Sequence, residues 1–585
     1  MTNMAAYGLP EIRDERLPLR DIHVRSLRDL SSRVGGRFEM FIAAAVSNIL
    51  SLALPIAILQ VYDRVIPNAA LNTLALLLLG LVAVLILDAM LTLLRSRITA
   101  WRAIRLQHLA SCASVKRLLD SDLKSFEQDG PGVQLQRLNQ IAKLSSFQSG
   151  QGMHLLVDLP FAGIFIALIA IISVELAGVL LVVIVTLVSA AALSGMFLRR
   201  ALEGRAAGDD LRHNFIIELL RGIHTIKTIG AENLMLRRYE RLQSTSALFN
   251  YAVALNSAVA RIVGSGTSQI SIVSVAAYGG SMAMKGEISL GALSACIFLA
   301  GRTAQPLLRA MGIWARFQSV RIAHEQVEEL FAIPLEESGT IDGEDIQGRV
   351  SLEHVAFSYD EEDEPVLRDV HLDIEPGELI GVTGRNGAGK TTLLWLMMGM
   401  LRPTEGRVAI DGVNVRDYSY EGLHRHIAYL PQDGVLFQGT LLDNLTLYRP
   451  ELADHAAEIV EKIGLSEIVG ALPDGYETEF RDNPSDGLPT GVVQRIALAR
   501  AFVTVPEPKL VIFDEANSHL DAIGDSELQQ MIAEITGKTT MLMVTHRPSL
   551  LSKADRTFVL RDGNLEGSVG GAKDLIEALN RDIAE

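Results

Sequence analysis

Six apolar stretches, near residues 40–62, 70–93, 154–174, 176–198, 262–284 and 288–311, dominate the first half of the chain. Each is close to the roughly 20 residues a helix needs to cross about 30 Å of hydrocarbon. Leu74 to Leu87 holds no charged residue and is apolar around the whole circumference of a helix, where a soluble core helix would alternate apolar and polar faces. The pattern predicts lipid-facing helices, since an unusually apolar soluble bundle would have to produce several such stretches at once. In the last 240 residues or so the apolar runs shorten to strand length, as in Leu510-Val511-Ile512-Phe513 and Met541-Leu542-Met543-Val544, which suits buried strands of a parallel sheet. The expected architecture is an all-α six-helix transmembrane domain followed by an α/β domain, divided as a lead-in at 1–38, a membrane domain at 39–330 and a second domain at 331–585.

Charge sharpens this division. Residues 1–340 carry 32 basic and 26 acidic side chains, a net +6, while residues 341–585 carry 21 and 43, a net −22. So acidic a second domain argues against a nucleic-acid partner, which requires clustered Lys and Arg. Arg33 and Arg37 precede the first span, Arg95, Arg97, Arg102 and Arg105 follow the second, and Arg199, Arg200 and Arg205 follow the fourth, so these ends are expected in the cytosol. Tight outer turns then alternate with two long cytosolic segments, near 94–153 and 199–261. The spans contain Asp88, Asp158 and Arg302, read either as a polar cavity lining or, for the two acids, as solvated ends of spans. The lead-in lacks the apolar core of a secretory signal. The two cysteines, Cys112 and Cys296, imply neither a disulfide framework nor a zinc site.

Candidate chemistry lies in the second domain. An apolar run leads into Gly384-Arg385-Asn386-Gly387-Ala388-Gly389-Lys390-Thr391, with Thr392 opening a helical run, the setting of a phosphate-binding loop. Its glycines let backbone N–H groups turn inward around phosphate oxygens, while the helix presents its positive end. Lys390 is expected to neutralise the β and γ phosphates of ATP, and Thr391 to offer its hydroxyl to Mg²⁺. The run ending in Asp514-Glu515 suggests a metal-holding carboxylate, Asp514, and a base, Glu515, that polarises the attacking water. His546 and Gln432 each follow another strand-like run.

With these motifs in this order, the chain resembles the ATP-binding cassette superfamily over nearly its whole length. The resemblance implies that Tyr359 stacks on adenine and that Gln432 senses Mg²⁺ and the membrane domain. It also implies that Ser518-His519-Leu520-Asp521 contacts the opposite subunit and that His546 reaches the γ-phosphate. Within the superfamily the membrane half resembles type I secretion permease/ATPases of Gram-negative bacteria. The stretches that carry this are Gln60-Val61-Tyr62-Asp63-Arg64-Val65-Ile66-Pro67, Asp158-Leu159-Pro160-Phe161, Thr225-Ile226-Lys227 with Ala231-Glu232, and Gly301-Arg302 through Pro306-Leu307. A 38-residue lead-in has no room for the peptidase domain of leader-peptide exporters. The implied cargo is an unfolded polypeptide with an uncleaved C-terminal signal, passed from the inner membrane to a periplasmic adaptor and an outer-membrane channel. The nucleotide-binding domain would lie in the cytosol, and segments near 120–130 and 222–233 would transmit its movement to the spans.

One motif departs from the family. The Leu-Ser-Gly-Gly-Gln signature aligns with Leu488-Pro489-Thr490-Gly491-Val492, while its flank Gln494-Arg495-Ile496-Ala497-Leu498-Ala499-Arg500-Ala501 is retained. In the family this segment clamps the γ-phosphate on the other subunit, and Pro489 supplies neither hydroxyl nor N–H. A heterodimer with a second half-transporter bearing an intact signature is favoured over a homodimer with two weakened sites. Two other readings stand beside polypeptide export: an exporter subunit for a lipid-linked or small amphipathic molecule, and an ATP-binding regulatory subunit that hydrolyses little.

Overall fold

The computed structural model describes residues 37–149, 152–360, 364–480 and 488–567, so nearly all of the expected lead-in lies outside the described residues. The chain divides into two compact units. One runs to Asp120 and resumes over Asp129–Ile333; the other joins Ser121–Gln128 to the residues from Pro334 onward.

All six apolar stretches fall within helices of the first unit. The first is interrupted: a helix Arg37–Leu50, a turn at Ser51-Leu52, a helix Ala53–Gln60 and a π-helical turn Val61–Val65. Pro55 causes the interruption, because it has no N–H for the Ser51 carbonyl and its ring crowds that carbonyl. Helices Leu71–Leu119, Gly152–Ile172, Val174–Arg221, Glu232–Met284 and Leu290–Ala332 carry the others. Several overrun their apolar parts, so the long segments at 94–153 and 199–261 are largely helical extensions of the spans rather than loops; Leu71–Leu119, with 49 residues, is about 74 Å long. Among the described residues, two helical segments, Phe38–Val65 and Leu71–Leu119, are long and apolar enough to cross a membrane. The apolar window of Leu71–Leu119 has no buried residue, and Leu76, Leu79, Ile86 and Leu93 are exposed, which suits contact with lipid.

Phe165, Ile169, Leu176, Leu180, Val275 and Leu299 pack the last four of these helices together. Polar side chains tie the interrupted first span to its neighbours. Ser47 Oγ donates to Asp88 Oδ1 at 2.6 Å, and Asn48 Nδ2 to Asp158 Oδ1 at 2.9 Å. Asp158 is buried, so it is no solvated end, whereas Arg302 is exposed. Asp63, carried on the π turn, accepts from Ser289 Oγ at 2.7 Å and from Gly291 N at 3.0 Å, which caps the helix Leu290–Ala332 from another helix. A Cβ at Gly291 would lie 2.5 Å from Asp63 Oδ1 and 2.7 Å from the Leu59 carbonyl, so only glycine allows this approach.

The second unit is built on a six-stranded sheet of order β12-β11-β3-β10-β9-β6. Its central strands β3 (Leu379–Thr383), β9 (Leu510–Asp514) and β10 (Thr540–Val544) are buried at every residue. They run parallel with β6 (Ile427–Leu430) and β11 (Arg556–Arg561), while β12 (Asn564–Glu566) is antiparallel. A four-stranded antiparallel sheet, built in spatial order from Leu367–Ile374, Val350–Phe357, Glu405–Ile410 and Val413–Asn414, was not foreseen from the sequence. Ser121–Gln128 belongs to this unit by contact: Asp122 N donates to the Pro334 carbonyl at 3.1 Å, and Gln128 Nε2 to Asp360 Oδ1 at 3.2 Å.

Asp63→Ala removes a cap shared between two helices and should cost about 0.5–2 kcal/mol. Gly291→Val forces an overpacked contact and should cost about 1–3 kcal/mol. Both losses are expected as earlier thermal unfolding of the detergent-purified protein, with Gly80→Ala, which meets nothing within 4 Å, as the neutral comparison.

Candidate nucleotide site

The parallel register fixes where the site forms. Val544 of β10 lies opposite Val382 of β3 and Asp514 of β9, so the C-terminal ends of three strands share one edge of the sheet. The segments leaving these ends carry the phosphate loop, Glu515 and His546. Crevices at such edges are where open α/β sheets bind ligands.

The loop turns from β3 into the helix Lys390–Met397. Gly389 adopts φ 99° at the helix start, where a side chain would be strained, and a Cβ on Gly384 would lie 2.3 Å from the Leu560 carbonyl. Arg385, Asn386 and Gly387 are exposed, Ala388 is half-buried, and Lys390 and Thr392 are buried. The Lys390 ammonium donates to the carbonyls of Gly384 at 2.7 Å and Arg385 at 3.2 Å, which holds it over the loop.

Three groups expected to act together converge here. Lys390 Nζ lies 3.1 Å from His546 Nε2 and 3.4 Å from Glu515 Oε1, and His546 Nε2 lies 3.2 Å from Glu515 Oε1. Glu515 has φ 46°, in the left-handed region, although it is not glycine, and its N–H donates to the Val544 carbonyl at 2.9 Å. Such a backbone costs of order 1–3 kcal/mol and gathers at functional sites. Here it turns the carboxylate from the strand end toward the loop.

Asp514 is buried, and burial raises its carboxyl above the usual carboxylate range; Glu515 pushes the same way, while Thr391, Tyr429 and Lys390 oppose. Thr391 Oγ1 lies 3.5 Å from Asp514 Oδ1. Two hard oxygens, one of them a buried carboxylate short of counter-charge, fit Mg²⁺, which takes few protein ligands beside phosphate oxygens and water. Among the described residues, no group of three or more His, Cys, Asp or Glu side chains gathers for a metal. Tyr429, which sequence reasoning missed, borders this carboxylate. The Tyr429 hydroxyl lies 3.4 Å from Asp514 Oδ2.

Other expected residues lie differently. The Tyr359 ring packs edge-on against Phe357, with centroids 5.0 Å apart, and its hydroxyl is 3.2 Å from Thr392 Oγ1. Gln432 is exposed just past β6. Pro489 is the N-cap of the helix Thr490–Thr504, which has no side-chain cap; Thr490 is exposed, and Leu488 and Gly491 are half-buried. Asp521 serves this chain's own architecture, capping the helix Ala522–Ile535 through Gly524 N at 2.9 Å and pairing with Arg495.

Comparison with known proteins decides the family. Residues 38–306 match the ABC transporter transmembrane region, and residues 367–518 match the ABC transporter ATPase family. The chain carries the transmembrane and ATPase domains of an ABC exporter. Its relatives include the cyclolysin secretion/processing ATP-binding protein of Bordetella pertussis, 28% identical over 534 residues, covering 90% of this chain and 74% of that one. The alpha-hemolysin translocation ATP-binding protein of Escherichia coli O157:H7 is 28% identical over 541 residues, covering 92% and 76%. The leukotoxin export ATP-binding protein of Aggregatibacter actinomycetemcomitans is 27% identical over 535 residues, covering 90% and 74%. The fold of this ABC exporter matches the structure of a bacterial Atm1-family ABC exporter with ATP bound, with a TM-score of 0.80 at 20% identity over 92% of this chain and 96% of that one.

Two substitutions separate the roles of the site. Lys390→Ala should weaken Mg·ATP binding about a hundredfold through lost charge-assisted bonds. Asp514→Asn should leave binding of metal-free ATP within about threefold and abolish its enhancement by Mg²⁺. Titration with a fluorescent ATP analogue, with and without EDTA, reads both.

Proposed function

We propose that this ABC exporter moves an unfolded polypeptide across the bacterial inner membrane in a type I secretion route, paired with a second half-transporter. The observation that carries the ATP-driven part is the convergence of Lys390, Glu515 and His546 within 3.4 Å of one another at the end of the phosphate loop. In this reading the loop amides and Lys390 hold the β and γ phosphates, Glu515 takes up the proton of the attacking water, and His546 contacts the γ-phosphate. Thr391 and Asp514 would hold Mg²⁺ and Gln432 would sense it, and the ion would supply charge neutralisation at the phosphates. Tyr359 provides an aromatic face for adenine. The chain passes the membrane several times among lipid, with the nucleotide-binding unit in the cytosol.

The cargo is inferred from the relatives, whose names concern secretion, translocation or export of toxins. It carries with it a periplasmic adaptor and an outer-membrane channel as partners. Heterodimer formation is favoured by Pro489 at the start of the helix Thr490–Thr504, where the related signature offers a hydroxyl and an N–H to the partner's nucleotide. Leu488, Pro489, Thr490, Gly491 and Asp521 would face the nucleotide of the second subunit, and that site would hold ATP while the site around Glu515 hydrolyses it.

The purified full-length chain should therefore turn over ATP slowly by itself. Pro489→Ser should raise that rate about tenfold or more, since each charge-assisted bond regained is worth about 1.5–3 kcal/mol. Glu515→Gln should abolish turnover while leaving ATP binding intact. Brisk turnover by the unmodified homodimer would rule out an obligatory heterodimer. A rate indifferent to Glu515→Gln would rule out its role as base.

A further inference from the structure

Three segments around the hydrolytic groups meet at a buried junction with no role in the scheme above. At its centre is Gln494, fully buried on the helix Thr490–Thr504. Its Nε2 donates to the Pro431 carbonyl at 2.7 Å and to the Ala516 carbonyl at 2.9 Å. The first carbonyl belongs to the peptide unit that ends in Gln432. The second lies one residue beyond Glu515. One amide thus spends both donors on the two backbones that carry a Mg²⁺-sensing candidate and the candidate base.

The packing around this amide leaves little slack. A Cβ on Gly434 would lie 2.8 Å from the Val493 carbonyl and 3.1 Å from Gln494 Cα, and a Cβ on Gly491 would lie 2.8 Å from the His519 carbonyl. The two segments are also linked directly, with His519 Nε2 3.2 Å from Asp433 Oδ1. Arg495, the next residue on the helix, pairs with Asp521 and with Glu527 at 3.6 Å. Gln494 Oε1 is buried without a hydrogen-bond partner among the described residues. An apolar side chain of the same size would fill the volume without that penalty, so packing alone does not account for the amide.

We propose that Gln494 is a positioning residue that joins the signature helix to the backbones of Gln432 and Glu515. A displacement of that helix by nucleotide held on the partner subunit is thereby delivered to this chain's own hydrolytic groups. The coupling rests on the reading of Glu515 as base in a two-subunit site; the tie itself does not.

The test uses Gln494→Met, which keeps the length and removes both bonds, and Gln494→Asn, which keeps the amide but withdraws it by one methylene. Asn also serves if Met fails to fold. Hydrogen–deuterium exchange on the full-length chain should rise about tenfold at residues 432–434 and 515–519 and stay unchanged at 384–392, as expected for loss of two buried hydrogen bonds. With saturating Mg·ATP, kcat should fall about tenfold or more while KM stays within about threefold, the split expected of a group that acts on the hydrolytic step and not on binding. Unchanged exchange at either segment overturns the tie. Raised exchange with kcat intact overturns its consequence, as does a loss of kcat matched by equal loss of ATP binding. If Glu515→Gln leaves the parent rate untouched, the reading of Glu515 fails by itself, and exchange still decides whether Gln494 holds the two segments.

Discussion

Parallel pairing of β3, β10 and β9 is the constraint on which the site depends. Because Val544 lies opposite both Val382 and Asp514, the strands end level, and three segments distant in sequence deliver Lys390, His546 and Glu515 to one point. A one-residue slip of any strand would send its side chains to the opposite face of the sheet. All three strands are buried at every position, so burial opposes such slippage on both faces.

The same burial makes the charges depend on one another. Lys390 is nearly enclosed, and Glu515 and the loop carbonyls surround its ammonium. Asp514 lies beside them in surroundings that disfavour its anion. The charged groups are thus already gathered around the phosphate loop. Fixed dipoles and charges of this kind act more strongly than they would in water.

Much of this was legible in the sequence, for a physical reason. The phosphate loop needs glycines at set intervals, a buried parallel strand needs an unbroken apolar run, and a membrane helix needs length without charge; each is a local requirement visible in a short window. What was not legible depends on pairing between distant residues. Nothing near Asp63 announces that it caps a helix beginning more than 200 residues later, and nothing near Gln494 announces its bonds to Pro431 and Ala516. Hydropathy likewise marked where the spans lie but not that the helices continue beyond them, because polar extensions satisfy their backbone groups internally and expose the rest to water. The segment around Pro489 falls between these cases: the sequence revealed a proline, and only the fold placed it at a helix start without a side-chain cap.

Pro55 leaves a lasting mark on the first unit. By interrupting the first span at Ser51-Leu52, it turns one rod into two with different attachments. The piece Arg37–Leu50 packs on the helices Leu71–Leu119 and Gly152–Ile172, and the piece Ala53–Gln60, with its π turn, packs mainly on Leu290–Ala332 and also on Leu71–Leu119. Each piece thus keeps its own polar tie, the first to Asp88 and Asp158 and the second, through Asp63, to the start of Leu290–Ala332, so one apolar segment is fastened at both ends to helices remote in sequence.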